Sequence, residues 1–388
     1  MKKILAVTGI RSEYDILSPV IKALKEDAQF DVGVVVSGAH LSGWHGNTIS
    51  RIEADGFRIV DKIDSLLMTN SSTQRPKGVG ILTYGLAQAV DREKPDFLLV
   101  VGDREESIAT AIIGNYMDIL TAHIGGGDSV YGNADDPTRF AVSKLSHIHF
   151  VMAKEHAQNL IDCGEEDFRI FYIGNPGLDN IRLTRTINRR ELSDFLGFDI
   201  VSSEYIVLIK HPLSSEKEQA YDQMKAALTA IQSFCEESKC KIIGIYPNTD
   251  PGSYDIMRAF EEFKHNPSIK FFNSLPREIF VNVMRNARAL AGNSSMGILE
   301  APFYRLPVVN IGNRQKGRLN AGNVEFVDYG VDSIKMALRK ACLDESYRNK
   351  ISKLQSPYGD GYAAQRFKES ILKIDPADKK WHIKKRMY

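Results

Sequence analysis

Sulfur and tryptophan are scarce in this chain, and no long apolar run occurs. Its 388 residues contain four cysteines, Cys163, Cys235, Cys240 and Cys342, and two tryptophans. No two cysteines form a CxxC pair, which argues against a structural zinc site or a disulfide framework and suits a reducing compartment. No stretch approaches the ~18 apolar residues of a membrane span. The opening "MKKILAVTGI" has the two lysines of a secretory leader, but its apolar run is short and Arg11 and Glu13 interrupt it. A cytoplasmic chain without a targeting segment is therefore expected, with no membrane partner. Excess charge of one sign is also missing. Fifty Lys and Arg face 49 Asp and Glu, a formal net charge of +1, so no basic field points to nucleic acid. Neither a GxGxxG after the first apolar run nor a Walker A sequence is present, which weakens a dinucleotide oxidoreductase or a P-loop enzyme.

What is present is alternation. "KKILAVTGI" reads as a buried parallel strand, "RSEYD" as a loop, and "ILSPVIKALKE" as a helix. Strands "FDVGVVVSG", "FRIVDKI", "PDFLLVVGD", "ILTAHIGGG" and "IHFVMA" follow, separated by the helical stretches "GVGILTYGLAQAVDRE", "REESIATAIIGNYMD" and "ADDPTRFAVSKLSH". A second series opens at "YIVLIKHP". It continues through the helix "AYDQMKAALTAIQSFCEES", then "KIIGIYPN", "DIMRAFEEF", "IKFFNS", "PREIFVNVMRNA", "RALAGNSS", the helical "GILEAPFYR" and "LPVVNIG". The expected class is α/β, with two doubly wound Rossmann-like domains at 1–172 and 205–365. Residues 173–204 connect them. Residues 366–388 form a tail whose helical "AAQRFKESILKI" either closes the second fold or crosses back to the first.

Ligands in doubly wound sheets bind outside the carboxyl ends of the strands. The loops there carry Arg11, then Asp103 and Arg104, then His123, Asp128, Asp135, Asp136 and Arg139 in the first half. In the second half they carry His211, Asn248, Ser294, Ser295, Glu300 and Arg314. "GNSSMGILE" offers free N–H groups and hydroxyls at a helix start, which suits a phosphate, although serine also caps helices routinely. Glu300 suits the two hydroxyls of a ribose or is a solvated helix charge. The four arginines match an anionic ligand, each with a surface ion pair as the plain alternative. Asp103 closes an apolar strand, where desolvation favours acid/base work, or it caps the following helix. His211 is a candidate proton carrier or phosphate donor. His147 and His149 in "SHIHF" read as packing and solvent-facing groups, and His40 and His45 lie in a glycine-rich loop. No metal ligand set and no cofactor are expected.

Taken together, "VTGIRSEYD", "GNTISRIE", "VVGDRE", "HIGGGD" with "DDPTRFAVSKLSH", "KHPLSS", "YPNTDPGS", "GNSSMGILE", "PVVNIGNRQKGR" and "YGDG" resemble the UDP-N-acetylglucosamine 2-epimerases of the hydrolysing type. The resemblance runs from about Lys3 to Phe367. It implies a GT-B arrangement with a closing cleft, a UDP-sugar substrate, and homodimers or homotetramers. It also implies elimination of UDP across C1–C2 to a 2-acetamidoglycal, then hydration to N-acetylmannosamine for sialic acid synthesis. Arg11 and Arg104 would approach the diphosphate, His211 would assist its departure, and Asn248 would lie by the nucleotide. Ser294 and Ser295 would hold phosphates, Glu300 the ribose and Arg314 the diphosphate, and Leu275 is counted with the nucleotide set. Asp103 matches one acid/base position of the family, and Asp135 or Asp136 another. The non-hydrolysing branch shows "TRPE" in the first loop, where this chain has "IRSEYD".

Two residues depart from the pattern. The glutamate of the family's H-x-E-G-G motif is Gly125 here, and the histidine after its DDxxR arginine is Phe140. Asp128 could then take the missing role, or Asp135 and Asp136 could take both. Alternatively the substrate is a 2,4-diacetamido or GDP-linked sugar. A GT-B glycosyltransferase and a non-catalytic nucleotide-sugar binder are the readings of another class.

Overall fold

Thirteen strands form two parallel sheets in the computed structural model, which describes residues 1–68, 73–130, 135–247 and 252–384. The first sheet contains β1 (Lys2–Thr8), β2 (Phe30–Ser37), β3 (Arg58–Ile63), β4 (Phe97–Val101), β5 (Leu120–Ile124), β6 (Ile148–Val151) and β7 (Ile170–Tyr172). Its order is β3-β2-β1-β4-β5-β6-β7. The second contains β8 (Tyr205–Ile209), β9 (Lys241–Ile245), β10 (Ile269–Phe272), β11 (Ala289–Gly292), β12 (Val308–Ile311) and β13 (Val324–Val327). Its order, β10-β9-β8-β11-β12-β13, repeats the Rossmann pattern of 3-2-1-4-5-6.

The central strands need no alternation because helices cover both faces of a parallel sheet. Every residue of β4, β5 and β8 is buried. The covering helices show the matching spacing. In Ala220–Ser238, Met224, Ala227, Leu228, Ile231, Phe234 and Cys235 are buried along one stripe.

Several elements differ from the sequence reading. "RSEYD" is not a loop, since the helix Arg11–Lys25 begins at Arg11 with Ile10 as its extended N-cap. Glu13 in its first turn accepts the N–H of Gly9, the residue before the N-cap, at 3.1 Å, which ties the incoming chain to the helix start. "GILEAPFYR" yields only the single turn Met296–Leu299. Pro302 has no N–H to continue the helix. The short edge strands β7 and β13 escape the periodicity reading altogether.

The chain falls into two compact units. One takes Met1–Ser129, the described residues from Asp135 to Arg182 and the segment from Tyr358 onward, and the other takes Val130 and Leu183–Pro357. These breaks compare with the expected boundaries at 172, 204 and 365. Residues of the connecting segment go to both units. Asp179 accepts the N–H groups of Ala363 and Ala364 at 2.9 and 3.0 Å, whereas Ile187, Leu192, Leu196 and Ile200 join a core of the second unit. The tail crosses back to the first unit. Lys2 Nζ caps the helix Ala363–Leu372 there, donating to the carbonyls of Ile371, Leu372 and Ile374.

Candidate functional site

Strand order reverses between β1 and β4 in the first unit and between β8 and β11 in the second. In open α/β sheets this reversal opens a crevice at the carboxyl edge, where ligands bind. The two loops at the first reversal carry Arg11, Asp103 and Arg104. The two at the second carry His211, Ser294 and Ser295.

In the first unit the site is built around Arg139, on the helix Asp135–Leu145. Its Nη2 donates to the Asp103 carboxylate, and its Nη1 donates to the Gly125 carbonyl at 2.8 Å. Arg139 is 8% exposed, and its Nε–H is buried with no hydrogen-bond partner among the described residues. The loops after β4 and β5 are thus pinned to one guanidinium. Arg104 is the extended N-cap of the helix Glu105–Met117, and Arg11 is the first residue of its own helix.

His123 braces the same loops from behind. It is fully buried on β5, with Nε2 2.7 Å from the Gly102 carbonyl and Nδ1 3.1 Å from Ser143 Oγ. A carbonyl can only accept, so the proton lies on Nε2, and Nδ1 is an acceptor facing Ser143 Oγ, which has a single proton and also lies 3.1 Å from the Arg139 carbonyl. Burial pushes this histidine down to about 3, which keeps it neutral.

The three glycines after His123 have separate steric causes. Gly125 has φ +84°, which L side chains rarely adopt. Gly126 lies against Ser143 and His123, and a Cβ there would come within 2.7 Å of Ser143 Oγ. At Gly127 a Cβ would come within 2.2 Å of the His156 carbonyl oxygen. The run is therefore a tight packing turn rather than a phosphate cradle. Asp128, next in the chain, is 2% exposed and lies 3.5 Å from His156 Nε2, so its partner is a buried histidine. Asp136 is half-buried, with Ser129 Oγ donating to its Oδ2 at 3.5 Å. Asp135 begins the same helix, and its side chain lies outside the described residues, as does Asn248.

Of the packing and solvent-facing roles expected for His147 and His149, the structure shows only packing: both are buried. His147 Nδ1 accepts the Thr121 N–H at 3.1 Å, and His149 Nε2 lies 3.0 Å from Glu165 Oε2. The interior parallel strand β6 leaves no solvated face for His149. A buried pair of acids also escaped the sequence reading. Glu13 and Glu106 are each 6% exposed near Gly9. Burial and the neighbouring Glu106 carboxyl push Glu13 well above the ordinary carboxylate range.

In the second unit Asn293 ties the two switch-point loops together. Its Oδ1 accepts the His211 N–H at 2.7 Å and its Nδ2 donates to the His211 carbonyl at 2.9 Å. Its own carbonyl accepts from Arg314 Nη1 at 3.3 Å and Gln315 Nε2 at 3.2 Å. Ser294 Oγ accepts the Met296 N–H at 3.4 Å. A single helical turn carries little dipole, so "GNSS" offers N–H groups and hydroxyls at a strand end. Glu300 follows that turn, paired with Arg277 at 3.2 Å, both side chains about one-eighth exposed. It is neither inside a helix nor a freely solvated charge. Leu275 has its side chain in the core. Behind His211, burial pushes the Lys210 amine down to about 8. Asn293 and Arg277 are the positioning groups missing from the sequence-based site. For Asn293, a polar residue at the end of the buried strand β11 was the available signal; Arg277, at the start of the helix Arg277–Asn286, had none.

Among the described residues no group of three or more His, Cys, Asp or Glu could hold a metal ion, and no helix is long and apolar enough to cross a membrane.

Two Rossmann-type units, each with chemistry-bearing loops at its switch point, define an α/β protein of the GT-B-like class. Within that class the chain belongs to the UDP-N-acetylglucosamine 2-epimerase family, whose sequence model matches residues 22–372. Relatives at 30% identity or more include enzymes named as hydrolysing. The hydrolysing UDP-N,N'-diacetylbacillosamine 2-epimerase of Legionella pneumophila is 34% identical over 97% of both chains. Polysialic acid biosynthesis protein P7 of Escherichia coli is 30% identical over 96% of this chain and 92% of its own. The crystal structure of UDP-GlcNAc 2-epimerase from Neisseria meningitidis bound to UDP-GlcNAc superimposes with a TM-score of 0.83 at 19% identity, over 96% of this chain and all of that one.

Proposed function

We propose that this protein is a hydrolysing 2-epimerase whose leading substrate is a UDP-linked 2,4-diacetamido sugar of the diacetylbacillosamine type. The observation that carries this choice is the 34% identity, along 97% of both chains, to the Legionella enzyme of that name. It moves to the front what the sequence alone had kept as the alternative to UDP-N-acetylglucosamine, motivated by Gly125. UDP-N-acetylglucosamine is the second reading, supported by the description of the family. Either product is a 2-epimeric amino sugar of the kind consumed in nonulosonate synthesis, in keeping with the polysialic acid relative.

The chemistry divides between the units. In the second, Ser294, Ser295 and Arg314 bind the diphosphate, Glu300 accepts the ribose hydroxyls, and Leu275 and Asn248 border the nucleotide. His211 stabilises the leaving UDP. In the first, Arg11 and Arg104 neutralise the diphosphate and Asp103 is the acid/base group. A base takes the C2 proton as the C1–O bond breaks, releasing UDP and leaving a C1=C2 glycal. Water then adds its oxygen to C1, and C2 receives a proton on the opposite face. Arg139 suits this role for Asp103, since its guanidinium holds the carboxylate in place by a charge-assisted hydrogen bond. Asp136 and Asp135 are the second acid/base candidates. Asp128 ranks below them because it is buried against His156. The reading carries a cytoplasmic homodimer or homotetramer without metal or cofactor, and the four unpaired thiols suit that compartment.

The test is incubation of the protein with UDP-diacetylbacillosamine, UDP-N-acetylglucosamine and their GDP counterparts in deuterated water. Free UDP and a C2-deuterated 2-epimer are expected without any acceptor. Intact nucleotide sugars throughout the panel would sink the reading. Turnover only with an added acceptor would indicate a glycosyltransferase.

A further inference from the structure

We propose that the C-terminal tail positions Arg139, with Lys384 as the positioning residue. The inference rests on the function proposed above only in that Arg139 then serves Asp103 during turnover.

Lys384 Nζ donates to three main-chain carbonyls, Ser143 at 3.1 Å, Lys144 at 2.8 Å and Ser146 at 2.6 Å. These lie at the C-terminal end of the helix Asp135–Leu145, where carbonyls lack partners within the helix and a cation meets the negative end of the dipole. The same nitrogen pairs with Glu165 Oε2 at 2.7 Å, and Glu165 in turn holds His149. Ser143 joins this anchor to the site. Its Oγ lies 3.1 Å from both the Arg139 carbonyl, one turn earlier, and His123 Nδ1. Arg139 then reaches Asp103 and Gly125.

The tail is itself fixed by a built socket. Arg169 is fully buried and donates to the carbonyls of Trp381, Lys380 and Ile383 at 2.7, 2.8 and 2.6 Å. Trp381 is 6% exposed, its ring 5.3 Å from that of Phe168. A buried arginine committed to three tail carbonyls is far more than a loose terminus needs. Its consequence is a fixed ammonium under the helix that carries Arg139.

The experiment compares Lys384→Met and Lys384→Arg with the wild type in the full chain, by hydrogen–deuterium exchange and by steady-state kinetics. Lys384→Met is expected to speed exchange over residues 139–146 while residues 205–357 keep the wild-type pattern, which excludes general unfolding. Its kcat should fall about ten- to a hundred-fold with KM within about twofold, because misplacement of an aligning group costs rate rather than affinity. Lys384→Arg, which keeps the charge and donors, should restore both readouts. Unchanged exchange over 139–146 in Lys384→Met overturns the inference, and so does faster exchange with an unchanged kcat. If the wild type turns over no nucleotide sugar, the functional reading fails, and the positioning inference is decided by the exchange data alone.

Discussion

Arg139 and Asp103 are joined by an ion pair that spans 36 positions of sequence and links the helix Asp135–Leu145 to the loop after β4. The other arm of the same guanidinium holds the Gly125 carbonyl, so one side chain fixes the two loops that carry the candidate chemistry.

Replacing Asp103 with asparagine should keep the shape and remove the proton acceptor. Turnover of the nucleotide sugar is expected to fall about 10²- to 10⁴-fold, the usual worth of a general acid or base. UDP affinity, read by calorimetry, should remain. Loss of UDP binding alongside activity would argue that Asp103 binds rather than reacts.

Arg139→Lys keeps the charge but not the fork. An ammonium is a point donor and cannot hold Asp103 and the Gly125 carbonyl in one plane. The expected result is a kcat lower by about 10²-fold with UDP affinity retained. Wild-type kinetics in this variant would mean that the pair is dispensable.

Restoring the family's glutamate at position 125 should not improve the enzyme. Gly125 has φ +84°, and a Cβ there lies 3.2 Å from Met152 Cε. Gly125→Ala should cost about 1–2 kcal/mol in urea unfolding through the left-handed backbone alone. Gly125→Glu should be no more stable than the alanine variant, and no more active than wild type. A gain in kcat with the glutamate would show that the loop relaxes to accept it.

Acid should destabilise the first unit through its buried histidines. His123 has a folded-state value of about 3 against an ordinary 6.5, because burial disfavours its cation. Between those values the unfolded chain holds a proton that the folded chain does not, so stability falls as pH drops from 6.5 toward 3. The slope is about 1.4 kcal/mol per pH unit for this one group. His147, pushed down to about 4 by burial, adds in the same direction. Chemical unfolding at a series of pH values checks this, and His123→Asn should remove one proton from the slope. A pH-independent stability in that window contradicts the burial argument.

Glu300→Ala tests the ribose assignment. Losing a charged acceptor should weaken UDP binding by about tenfold or more. The kcat should stay within about twofold, since the nucleotide is held alike in ground and transition states. Unchanged UDP affinity would leave Glu300 as the partner of Arg277 and nothing more.

Much of this architecture is legible along the chain. Long elements such as Ala220–Ser238 and β4 announce themselves because a helix stripe and a fully buried strand each have their own hydrophobic period. Short ones do not. The edge strands β7 and β13 bury none of their residues fully, so no core-facing run marks them, and the Met296–Leu299 turn is cut short by local chemistry that an apolar stretch conceals. Asp103 and His211 could be picked out because polar residues that end apolar strands stand out in any sequence. Asn293 and Arg277 could not be assigned their work, since their partners, His211 and Glu300, come from distant segments.

"HIGGGD" shows where the division falls. The sequence by itself determined that a strand ends there in a glycine-rich turn, because apolar periodicity and glycine are local signals. Only the tertiary structure decided what each residue of it does. His123 braces Gly102 and Ser143, Gly125 lends its carbonyl to Arg139, and Asp128 meets His156. Those partners are brought together by the order of strands in a parallel sheet. That order is set by burying both faces of the whole sheet at once, a condition that no short window of sequence contains.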